Sequence, residues 1–142
     1  MNPTDQRLHR SRRPRRRGVT AIEFAITAPI AFLLFFAAFE CCRVAMIRHT
    51  ADNAVYEGCR TGILPGATVA EVRDQTRDIL STVGINAATI TVVPSKIERD
   101  TPRVTVEIRV PLDDNSFVPP RFFGGSTLTR RLTMHREGVP EV

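Results

Sequence analysis

The stretch from Val19 to Phe39, VTAIEFAITAPIAFLLFFAAF, carries a single charged residue, Glu23. As a helix, its 21 residues extend roughly 31 Å at about 1.5 Å per residue, enough to cross the hydrocarbon core of a bilayer. No small-residue cleavage site follows, and the run ends in Glu40-Cys41-Cys42-Arg43. It therefore reads as a retained membrane helix over residues 19–42, not a removed secretory signal. Whatever else the chain folds into must hang from one side of that span.

Charge indicates which side. Residues 1–17 hold seven of the 20 Lys+Arg and one acid, Asp5, whereas the sequence from Arg43 onward is close to neutral. The basic excess before the span predicts a cytoplasmic N-terminus and an extracytoplasmic C-terminal part. A basic tail can also bind nucleic acid or anionic lipid, but its position already explains it as an orientation signal. The surface-wide basic footprint of a nucleic-acid-binding domain is absent. Residues 1–18 form a basic leader without apolar periodicity.

Beyond the membrane, the helix continues. Val44, Ile47, Ala51, Ala54, Val55 and Cys59 recur at helical spacing until Gly62 and Pro65-Gly66 stop it, giving a helical stalk over residues 43–64. Residues 65–142 read as a small head. Thr68-Val69-Ala70-Glu71 is a capping box that opens a second helix, with Val69, Val72, Ile79, Leu80 and Val83 on one face and Gly84 as its stop. Three strands follow at 88–93, 103–110 and 127–134. In the second, Val104, Val106, Ile108 and Val110 alternate with polar residues, while Arg130 breaks the parity of the third. The expected fold is α+β: a long N-terminal transmembrane helix and stalk, then one helix and about three antiparallel strands.

Chemistry-bearing residues are sparse. His9, His49 and His135 are scattered, and Asp113-Asp114-Asn115 lacks the spacing of a calcium loop and reads as a turn. No metal, no cofactor and no catalysis are expected. Cys41, Cys42 and Cys59 cannot bridge within one helix; they read as packed small residues or as intersubunit thiols. Phe117, Phe122 and Phe123 either cover a sheet edge or meet a partner or membrane. Gly58 and Gly62 form a GxxxG, weak evidence for helix pairing outside a membrane.

Glu23 is the exception, since a carboxylate inside a membrane helix is costly and marks function by default. It either sits shallow enough to reach the headgroups or answers a positive partner. Were the chain cut after Gly18, Val19 would carry a new α-amino group four residues from Glu23 on the same helix face.

The basic leader, Gly18, Val19-Thr20-Ala21-Ile22-Glu23-Phe24 and the apolar helix together resemble the prepilin-peptidase site of type IV pilins and pseudopilins. More closely, RRGVTAIEFAITAPIAFLLFFAAFECCR, ADNAVYEGCRTGILPGATVAEVRD and the closing LTMHRE are similar to the TadE-like family of tight-adherence (Tad) pilus systems. Phe24 stands where tyrosine is commonest in the tight-adherence pilin sites, and Cys41-Cys42 replace a more usual small or glycine pair. The resemblance implies a membrane-anchored pseudopilin or minor pilin-assembly component at the inner membrane, with a periplasmic head. It implies Gly18 and Val19 as the processing site, Glu23 and Phe24 as recognition and assembly residues, and Pro29, Phe32, Leu33 and Phe36 in membrane packing. Its implied partners are a prepilin peptidase, other pseudopilins and Tad machinery subunits, and the lipid bilayer, with no nucleic acid. The rival reading is an uncleaved single-pass anchor presenting a periplasmic binding domain.

Overall fold

The computed structural model describes residues 17–115 and 122–136. The rest of the leader, Phe117 and Glu137 of the closing motif lie outside the described residues. Contacts divide the chain into two compact units that meet between Phe36 and Ala37.

The first unit is the opening part of helix α1 (Arg17–Gly62). Its large side chains face outward all round: Phe32, Leu33 and Phe35 are each more than half exposed. A helix that is apolar on every face without covering itself is built for an apolar solvent. One helix among the described residues, this one, is long and apolar enough to cross a membrane. Pro29 lies inside it and removes the amide that would bond the Ala25 carbonyl. Two residues earlier, the Thr27 hydroxyl donates to the Glu23 carbonyl at 2.8 Å, a back-bond that needs no partner from elsewhere.

The second unit contains the remainder of α1, helix α2 (Val69–Ser81), and strands β1 (Thr89–Val93), β2 (Arg103–Pro111) and β3 (Thr127–His135). A short 3₁₀ turn, Asp113–Asn115, follows β2. The strands form one antiparallel sheet in the order β1-β2-β3, with Val92 opposite Val106 and Val106 opposite Leu132. The α+β expectation holds, and so do the local signals behind it. In the capping box, the Glu71 amide donates to Thr68 Oγ1 at 3.3 Å and the Thr68 amide to Glu71 Oε2 at 2.8 Å. After α2, Gly84 takes φ +72°, the left-handed turn that only glycine adopts freely, and the Ile85 amide bonds back to the Leu80 carbonyl.

One core joins these elements. Ile47, Ala51, Ala54, Val55 and Cys59 of α1 meet Val72 and Leu80 of α2 and the inward row Val104, Val106, Ile108 and Val110 of β2. Residues 43–62, the helical part of the stalk expected over 43–64, thus supply a large share of the head's interior. Close approach is possible because Gly58 and Gly62 face the sheet and α2. A Cβ at Gly58 would overlap Thr76 Oγ1, and one at Gly62 would lie 2.8 Å from Val104 Cγ1. The GxxxG therefore serves packing within the chain. Arg130 also finds its reason: it shares the inward face of β3 and its Nε donates to Asp52 Oδ1 on α1 at 2.7 Å.

Candidate functional site

Helix α1 is described from Arg17 onward and carries both Gly18 and Val19. Val19 is 60% exposed and Phe24 70%. Glu23 is exposed as well, four residues on from Val19 and about 6 Å further along the axis. A Cβ added at Gly18 would meet nothing within 4 Å, so no contact in the described chain demands glycine there. Of the expected packing residues, Pro29, Phe32, Leu33 and Phe36 all lie exposed on α1; the Phe36 ring meets Phe35 edge-on at 5.9 Å between centroids. Among the described residues these groups all lie on the exposed surface of α1.

In the second unit, the structure brings together residues that sequence reasoning treated only as boundaries or turns. Arg43 is buried, with Nε and Nη2 donating to the Asn115 carbonyl at 3.1 and 2.8 Å and Nη1 to the Val83 carbonyl at 2.8 Å. Burial lowers its pKa from the ordinary guanidinium value. Asn115 completes the knot: its Oδ1 accepts from the Asn86 and Ala87 amides, and its Nδ2 donates to the Ala87 and Pro111 carbonyls. Asp113, in the same turn, accepts the Gly125 amide at 2.8 Å. Among the described residues no group of three or more His, Cys, Asp or Glu is placed to hold a metal ion.

Glu40 accepts the successive amides of Phe122 and Phe123 at 3.0 and 2.8 Å, a small backbone nest that suits a carboxylate. Phe123 packs against the core whereas Phe122 is 57% exposed. At the other end of α1, Arg136 donates to the Gly62, Ile63 and Leu64 carbonyls, groups left without helical partners. The same guanidinium reaches the Glu98 carbonyl at 2.9 Å. The only sequence traces of these clamps were the Glu40 and Arg43 that end the apolar run and the arginine of the closing motif. Of the cysteines, Cys59 is buried with its thiol 3.2 Å from the Leu132 carbonyl, and Cys41 and Cys42 are exposed.

Among the described residues, the elements define a class: one helix of membrane-spanning length together with a small α+β head. The model of the TadE-like protein family matches residues 18–60. That match agrees with the resemblance read from the sequence, begins at Gly18, and falls wholly within α1. No curated protein and no solved structure matches the chain.

Proposed function

We propose that the protein is a TadE-like pseudopilin or minor pilin-assembly component of a Tad pilus or secretion system, without catalysis of its own. The reading places it in the inner membrane, with its N-terminus cytoplasmic and its head periplasmic. A prepilin peptidase removes the leader after Gly18, and the new Val19 amine is then matched by the Glu23 carboxylate of its own chain or of a neighbouring subunit. The observation that carries this reading is the family match, which starts at the proposed cut. Two features of the site support it. Gly18 meets no packing demand within the described chain, consistent with an outside requirement such as a narrow peptidase cleft. Val19 and Glu23 stand one helical turn apart, in reach of a charge pair once the amine exists.

Intact-mass analysis of protein extracted from membranes tests it directly. Wild-type chain from cells with the peptidase should begin at Val19, and a Gly18→Leu variant should keep its leader. Wild-type protein that retains residues 1–18 in the presence of the peptidase would sink the processing reading and favour the uncleaved anchor.

A further inference from the structure

The segment that leads into β3 meets α1 at one defined level. The apolar run ends at Phe39, and the next side chain, Glu40, accepts the Phe122 and Phe123 amides. All four residues lie within the second unit. The two rings then part: Phe123 packs against the head's core, whereas Phe122 is left 57% exposed. The backbone that presents Phe122 is supplied with acceptors from inside the protein. Beyond the two amides taken by Glu40, the Gly125 amide donates to Asp113 Oδ2 at 2.8 Å and the Ser126 amide to the Phe123 carbonyl at 3.3 Å. A segment that brings its own hydrogen-bond partners is fitted for surroundings poor in water.

We infer that Phe122 is seated in the interfacial layer of the bilayer at the Phe39 end of the span, with lipid as its partner. At about 1.5 Å per residue, Val19–Phe39 fills a hydrocarbon core of about 30 Å, which puts residue 40 at its edge. The headgroup layer beyond that edge is roughly 5–7 Å thick. A hydrogen bond to the side chain of residue 40 holds the Phe122 backbone within one glutamate's length of this level. An aromatic ring there gains by burying its faces at the boundary between headgroups and acyl chains. Glu40 in turn meets the cost of a carboxylate at that depth by taking two amides. Lipid is the occupant because it surrounds the span at this level whenever the chain is inserted, whereas a protein would need a further feature to bring it there. This seat rests on the single-pass membrane reading, and on neither processing at Gly18 nor any pilus subunit.

The chain contains no tryptophan, so one substitution installs a sole reporter of depth. Full-length Phe122→Trp protein is reconstituted in phosphatidylcholine vesicles whose acyl chains carry bromine near either the ester or the methyl end. Its emission should fall at least twofold with the shallow bromines and less with the deep ones. Phe32→Trp, inside the apolar run, should show the reverse order. Tyr56→Trp, about 24 Å along α1 from Glu40, should respond to neither. Glu40→Ala removes the clamp and should at least halve the quenching of Phe122→Trp. Emission from Phe122→Trp that bromine leaves unchanged would overturn the inference, with aqueous acrylamide telling a ring open to water from one covered by protein. So would quenching as strong at position 56 as at position 122, or quenching at position 122 indifferent to Glu40→Ala. Phe32→Trp separates the two readings: quenching at position 32 without quenching at position 122 removes the seat alone, and quenching at neither removes the membrane span with it.

Discussion

Arg43 stands immediately after the apolar run, yet it is turned inward, with its donors distributed over the Asn115 and Val83 carbonyls. A buried cation is tolerable when its hydrogens are satisfied, and here backbone dipoles do much of that. Sequence inspection could not see this, because the acceptors are carbonyls 40 and 72 positions away, and no side-chain pattern marks a carbonyl. Cys59 shows the converse, a residue whose helical spacing announced its burial. Burial pushes the Cys59 thiol up from its ordinary value. The folded chain therefore holds that proton to higher pH than the unfolded chain does. Stability from this group is unaffected below the ordinary thiol range, about 8.5, and falls as pH rises through it toward the folded value. Chemical denaturation of detergent-solubilised protein between pH 7 and 10 should show that decline, and Cys59→Ala should flatten it. Iodoacetamide at pH 7.5 should likewise leave Cys59 unlabelled until the head unfolds. A stability profile identical for wild type and Cys59→Ala across this range would count against the burial argument.

At the scale of elements, α2 and β2 were legible because their signals are local: a capping box, a glycine stop and a strict alternation within nine residues. Gly58 and Gly62 were legible as a motif but not in their purpose, since spacing says that something approaches closely without saying what. The approach is made by Thr76 and Val72 of α2 and by Val106 and Val104 of β2. Gly58→Ala gains about 1 kcal/mol in helix propensity but forces a methyl onto Thr76 Oγ1, and overpacking of this kind costs about 1–3 kcal/mol. We expect Gly58→Ala to lower the melting temperature of the head. Thr76→Ala removes the overlapping hydroxyl while leaving the Val72 carbonyl its helical partner, so the double variant should recover most of the loss. A double-mutant cycle with favourable coupling above about 0.5 kcal/mol is the expected result. Additive effects would mean that Gly58 answers to some other neighbour, as would Gly58→Ala changing chain association alone.

For the whole molecule, the sequence suggests a division at the end of the long helix, with residues 65–142 as head; the contacts instead separate Phe36 from Ala37. The difference lies in where the interior comes from. Ile47, Ala51, Ala54, Val55 and Cys59 face the sheet, and Glu40, Arg43 and Arg136 tie the same stretch of helix to the loop after β2, the turn after α2 and the far end of β3. Each large buried side chain contributes about 1.5–3 kcal/mol, so losing the α1 share removes an amount comparable with the entire net stability of a small domain. A fragment of residues 37–142 should therefore unfold cooperatively by circular dichroism and give dispersed amide resonances. A fragment of residues 65–142, although it retains α2 and all three strands, should show neither. If the shorter fragment folded as well as the longer, the outer part of α1 would be a stalk after all, carrying the head without being part of it. If only the longer one folds, residues 37–62 of α1 belong to the head, and their side chains are an indispensable part of its core.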